Sequence, residues 1–246
     1  MVSLFQVFEE VFADVRAFPR HCVVHEEMEL GERDFLADVM SIIHDSGQLP
    51  ELKRRLRLTH PVGKSHPNET RDAWDEHLER VMTEALAFAW ASAVGHFEQI
   101  EFTDDKGTPD LISGGGIWIE AKTLGHSQEM GSIRRAQLAA GRRGRILPSP
   151  VMAISNDGLE PVSRKFRYHL ADARRKRDRQ PTSFPLVIFY RVEFDFTLKD
   201  RGPHFAYEQA KKVLRQQAAA EHRRDGVRIV MCQDYDWSQP FVDTSR

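Results

Sequence analysis

At 246 residues the chain is long enough for one large domain, or a domain with a smaller appendage, and for a substantial buried core. Hydrophobic content of 41% and charged content of 29% are those of a soluble globular protein, and no apolar run approaches the roughly 18 to 20 residues of a membrane span, so no membrane partner is expected. A formal net charge of −2 conceals a segregation: residues 123–180 hold thirteen Lys/Arg against five Asp/Glu, the footprint of a polyanionic partner.

From the start of the chain, Leu4, Phe5, Phe8, Val11, Phe12 and Val15 keep a 3.6-residue period. Glu9, Glu10, Asp14 and Arg16 lie between them, which predicts an amphipathic helix and not a signal peptide. Phe35, Leu36, Val39, Met40 and Ile43 repeat the pattern, and Gly47 and Pro50 are expected to stop it. Residues 1–69 thus read as a helical N-terminal extension. Its cluster His21, Cys22, His25, Glu26, Glu27 and Glu29 has no CxxC pair and is not read as a zinc site. Gly63-Lys64-Ser65 lacks the upstream glycine of a phosphate-cradling loop and reads as linker. The two cysteines, Cys22 and Cys232, are far apart and read as small buried hydrophobes, which suits a reducing cytoplasm.

Thr70 to Val94 is the longest helical pattern, with Trp74, Leu78, Val81, Met82, Ala85, Leu86, Ala89 and Ala93 on one face and Gly95 at the expected end. A strand, His96 to Phe102, should follow. Next, Pro109 to Ser113 and Ile117 to Thr123 flank Gly114 to Gly116, and only glycine accepts the positive φ of a tight hairpin turn without steric cost. With that turn, Ser113 faces Ile117, Ile112 faces Trp118, Leu111 faces Ile119, and Asp110 falls opposite Glu120 with Cβ atoms roughly 5 Å apart. Side chains alternate along a strand, so Lys122 joins Glu120 on one face while Ile117, Ile119 and Ala121 point into a core. A solvated salt-bridge trio on a surface hairpin is the bland alternative for these three charges.

Residues 125–160 are rich in Gly, Ser and Arg and read as a long basic loop carrying Arg134, Arg135, Arg142, Arg143 and Arg145. Ser163 to Arg179 is expected to be a helix with Phe166, Leu170 and Ala173 on one side and Arg164, Lys165, Arg167, Arg174, Arg175, Lys176 and Arg177 around the rest. Pro185 to Phe194 is a continuous apolar run, the pattern of a central strand covered on both faces. A helix over Phe205 to Arg224, a strand over Val227 to Cys232 and an irregular tail from Asp234 complete the chain. The order predicts an α/β fold, a mixed central sheet flanked by helices.

Pro109-Asp110, a gap of nine residues, and Glu120-Ala121-Lys122 at the end of an apolar strand resemble the signature of the PD-(D/E)xK nuclease superfamily. The element order from about residue 70 to residue 194 fits that resemblance. It implies a restriction-endonuclease-like core (helix, three-stranded antiparallel meander, helix, strand) within residues 70–246, with the basic insertion at 125–160. It further implies that Asp110 and Glu120, with the carbonyl of Ala121, bind Mg²⁺, for which Mn²⁺ would substitute, while Lys122 orients or helps deprotonate the attacking water. A helix glutamate is expected to complete the set: Glu79 is preferred for its place at the border of the apolar stripe, over Glu84. Arg134, Arg135, Arg142, Arg143, Arg145, Lys165, Arg167 and Arg174 are the expected nucleic-acid contacts, and Phe166, Tyr168 and Trp118 the candidate stacking platforms. The function implied is a Mg²⁺-dependent endonuclease hydrolysing phosphodiester bonds in DNA, and the family habit of pairing one site per strand is compatible with a homodimer. The competing readings are a non-catalytic nucleic-acid-binding or assembly module of the same fold, and a nuclease for RNA or for branched or single-stranded DNA.

Overall fold

The computed structural model describes residues 3–13, 36–59, 67–103, 107–124, 159–179, 184–192, 202–233 and 236–245. The histidine and cysteine cluster at 21–29, Gly63-Lys64-Ser65 and the basic loop at 125–158 lie outside the described residues. The protein is mixed α/β. Its chain divides into two compact units, Met1–Lys122 with Thr182–Leu186, and Thr123–Pro181 with Val187–Arg246.

The first unit opens with α1 (Leu4–Val11), capped by a reciprocal pair in which Ser3 Oγ accepts the Gln6 N–H and the Gln6 side chain accepts the Ser3 N–H. Its apolar stripe, Leu4, Val7 and Phe8, is buried, as is Phe12 just beyond it. After α2 (Ala37–Asp45), Gly47 takes φ +77 and ends the helix as the sequence suggests. Pro50 behaves differently: it begins the second residue of α3 (Leu49–Thr59), where a missing N–H breaks no intrahelical bond, so it opens a helix where the sequence pattern had it close one. Leu52 and Leu56 are buried on α3, α2 and α3 pack on α4 (Pro67–Ala93), and α1 packs on α3.

On α4 every residue from Val81 to Ala91 is buried, so the expected single stripe widens to the whole circumference. Alanines at 85, 87, 89 and 91 make this packing feasible, since a slim helix can be approached from all sides. At its end the left-handed position falls on His96 (φ 54), one residue after the expected glycine. Gly95 instead supplies clearance: a Cβ there would stand 3.0 Å from the Ala91 carbonyl oxygen. His96 and Gln99 (φ 49) break the extended conformation, which shortens the expected strand to β1 (Glu101–Phe102). β1 pairs antiparallel with β2 (Leu111–Ile112), and β2 pairs antiparallel with β3 (Trp118–Leu124).

In the second unit, α5 (Leu159–Asp178) buries Phe166, Leu170 and Ala173, the side expected from the sequence. Every residue of β4 (Leu186–Val192) is buried, as a doubly covered strand requires. β4 and β5 (Arg228–Gln233) run parallel in the register Val187↔Arg228 to Val192↔Gln233, with α6 (Gly202–Asp225) as the crossover between them. The Tyr190 hydroxyl on β4 donates to the Phe166 carbonyl at 3.4 Å, and the two rings lie 5.4 Å apart. The tail, expected to be irregular, contributes β6 (Val242–Asp243), antiparallel to β5. Arg228 and Asp243 join these strands by two hydrogen bonds of 3.0 and 2.8 Å. No helix among the described residues is long and apolar enough to cross a membrane.

Candidate active site

The hairpin adopts the register that its glycines and alternation predict: Leu111 faces Ile119 and Ile112 faces Trp118. Ser113 N donates to the Ile117 carbonyl at 3.1 Å, and Gly116 carries the positive φ, +74. One step further along the same register, Asp110 comes opposite Glu120. Its Oδ2 accepts the Ala121 N–H at 2.8 Å and receives the Lys122 ammonium at 3.4 Å, while Glu120 Oε2 receives the same ammonium at 2.6 Å. Two carboxylates therefore converge on one cationic nitrogen.

This cluster is not a solvated surface trio. Glu120 is 0% exposed, and Asp110 and Lys122 are mostly covered. Burial by itself would lower the Lys122 pKa, but the charges of Asp110 and Glu120 and their hydrogen bonds outweigh it and hold the amine above its ordinary value. On the strand's opposite face Ile119 and Ala121 are buried, and Trp118, on the same face as Glu120, stacks on Phe184 at 5.4 Å with its backbone N–H donated to the Pro185 carbonyl.

Of the two helix glutamates, Glu84, set second to Glu79 in the sequence, feels the charge of Asp110. Glu84 is 2% exposed, and burial together with the Asp110 charge pushes its pKa up to about 7, against the opposing pull of Arg55 and Arg80. Glu79 is half-buried, and its backbone carbonyl accepts the Thr83 hydroxyl at 2.9 Å.

Two groups escaped the sequence pattern. Arg55 donates Nη1 to Glu84 at 2.7 Å, Nε to Glu51 at 3.1 Å and Nη2 to the Thr103 carbonyl, with its guanidinium 5.1 Å from the Phe102 ring centre. Thr103 in turn binds the loop before β2: its N–H donates to the Asp110 carbonyl at 3.2 Å and its hydroxyl to the Pro109 carbonyl. In the run Lys53-Arg54-Arg55-Leu56-Arg57 four cations look alike, and the only hint is that Arg55 sits four residues after Glu51 and beside the buried Leu52 and Leu56.

The two carboxylates at the hairpin are oxygen donors of the kind a hard divalent cation takes, at a point that already holds a positive charge. Among the described residues, no three His, Cys, Asp or Glu side chains are gathered so as to hold a metal by themselves.

Of the expected nucleic-acid contacts, Arg134, Arg135, Arg142, Arg143 and Arg145 lie outside the described residues. On α5, Arg164, Arg167, Tyr168 and Arg175 are exposed, Tyr168 at 64%, and Lys165 is half-buried. Arg174 is committed within its own unit: its side chain is 14% exposed and bonds Asp225 at 2.6 Å and Glu221 at 2.9 Å. Of the stacking candidates, Phe166 and Trp118 are buried, which leaves Tyr168. Compared with protein-family models, curated proteins and solved structures, the chain has no match.

Proposed function

We propose that the protein is a Mg²⁺-dependent endonuclease that hydrolyses phosphodiester bonds in DNA. The observation that carries this reading is the opposed pair Asp110 and Glu120 converging on a mostly covered Lys122. The order of helix, antiparallel hairpin strands, helix and strand supports it, and so does the PD…ExK spacing.

Asp110 and Glu120, with the Ala121 carbonyl, would hold the cation, and Mn²⁺ would substitute. Bound there, a divalent ion supplies a polarised phosphate oxygen and a more acidic water. Lys122 is kept protonated by its two acidic neighbours, so it serves as a fixed cation that orients the attacking water and offsets negative charge building on the phosphate. Asp110 is aligned for this work by the Ala121 N–H, which fixes one carboxylate oxygen against β3. The exposed side of α5, with Arg164, Arg167 and the half-buried Lys165, provides cations for phosphate contact, which positions a nucleic acid without reading its sequence.

The test is cleavage of supercoiled plasmid by purified protein. Nicking or cutting with Mg²⁺, abolished by EDTA and by Asp110→Ala, is the expected result. Absence of Mg²⁺- or Mn²⁺-dependent cleavage across duplex, branched and single-stranded DNA would remove the assignment.

A further inference from the structure

We infer that Arg55, supplied by the N-terminal helical segment, is a positioning residue for the carboxylates of the hairpin site, so that this segment is a working part of the metal centre. The inference rests on the reading of Asp110 and Glu120 as cation ligands.

Arg55 is held on all sides. Its side chain is 10% exposed, and its guanidinium spends one N–H on Glu51 of its own helix, one on Glu84 of α4 and one on the carbonyl of Thr103 after β1. The Phe102 ring lies beneath it, itself stacked on Phe88 at 5.1 Å. A planar fork with several donors can bridge three acceptors in fixed geometry, which a lysine ammonium on a flexible stem does not reproduce.

The two outer acceptors both lead to Asp110. Arg55 Nη1 holds the Glu84 carboxylate at 2.7 Å, so Arg55 sets where the group that feels the Asp110 charge sits. Thr103 is the brace of the loop that presents Asp110: its amide holds the Asp110 carbonyl and its hydroxyl holds the Pro109 carbonyl, with Thr108 Oγ1 at 3.2 Å. Arg55 therefore fixes one neighbour of the Asp110 carboxylate and the backbone beneath it. Outer residues of this kind commonly govern how well the inner ones receive a cation.

A cation near a metal site can act in two opposite ways, and substitutions separate them. If Arg55 only contributes positive charge, its removal should strengthen binding of a divalent ion. If it holds the ligands in place, its loss should weaken binding. Arg55→Lys is the decisive variant because it retains the charge and removes the fork. Arg80→Met is the control, since Arg80 is an exposed cation 3.6 Å from the same Glu84.

The experiment is calorimetric titration of Mn²⁺ into wild type, Arg55→Lys, Arg55→Met, Arg80→Met and Asp110→Ala, each full length, with thermal melts alongside. The expected result is that Arg55→Lys weakens Mn²⁺ binding by about tenfold at unchanged stoichiometry, that Arg55→Met is no tighter, and that Arg80→Met binds as wild type or tighter. A partly unfolded preparation lowers the stoichiometry and leaves Kd unchanged, so misfolding is read separately. Should Arg55→Met not fold, Arg55→Lys alone decides the question. Wild-type affinity in Arg55→Lys with tighter binding in Arg55→Met would overturn the inference and leave Arg55 a mere counter-charge. Failure of the underlying site reading looks different: no Mn²⁺ binding by wild type, or equal binding by Asp110→Ala, and the inference would then fall with it.

Discussion

Asp110 Oδ2 accepts the Ala121 N–H at 2.8 Å, tying the carboxylate to the strand that carries Glu120 and Lys122. An asparagine side-chain oxygen can accept the same N–H but carries no charge. Asp110→Asn should therefore melt within a few degrees of wild type while binding Mn²⁺ at least about tenfold more weakly. Asp110→Ala should lose both the tie and the affinity. Wild-type Mn²⁺ affinity in Asp110→Asn, measured by titration, would rule the residue out as a ligand.

Glu84 makes stability depend on pH in an unusual direction. Its pKa rises from 4.5 to about 7 on folding, so between those values the folded protein binds more protons than the unfolded chain. Stability from this group is therefore greatest below the window and declines as pH rises through it. Urea unfolding of wild type and Glu84→Gln at about pH 5 and pH 8 isolates the effect: wild type should lose stability relative to the variant at the higher pH. A constant difference between the two would contradict the assignment.

The α5 cations divide by exposure. Arg164→Ala and Arg167→Ala should each weaken DNA binding and lower the salt slope by up to about one unit. Arg174→Ala should leave that slope unchanged and destabilise the fold by about 1 to 2 kcal/mol, because its bonds to Asp225 and Glu221 are internal. Tyr168→Ala should weaken single-stranded DNA by about 1 kcal/mol if its exposed ring stacks on a base. Fluorescence anisotropy over a salt series reads the binding of all four, and urea unfolding reads the stability of Arg174→Ala.

Gly116 turns the hairpin at φ +74, a conformation that costs an L-residue about 1 kcal/mol. A methyl group there would also stand 3.4 Å from the Phe184 ring. Gly116→Ala should thus lower stability by roughly 1 kcal/mol in urea unfolding, and an unchanged midpoint would argue against that turn.

The hairpin was legible because its signals are local: a glycine triplet fixes the turn, and alternation with period two fixes which residues share a face. Together they bring Asp110 opposite Glu120. The burial of Glu84 was not legible in the same way, since it depends on what packs around α4 and nothing local records that. Arg55 was hidden for a related reason, its three acceptors lying at Glu51, Glu84 and Thr103, two of them distant in sequence. Pro50 misled because one residue type both ends and begins helices, and β6 is two residues long, too short for any period to show.

The most direct test of the whole account is the rate of plasmid cleavage by Lys122→Ala beside wild type at equal Mg²⁺, with folding of both verified by thermal melts. Lys122 is the nitrogen on which Asp110 and Glu120 converge. Wild type should cleave, and loss of the lysine should slow cleavage by about a hundredfold or more. Equal rates for the two proteins would contradict it.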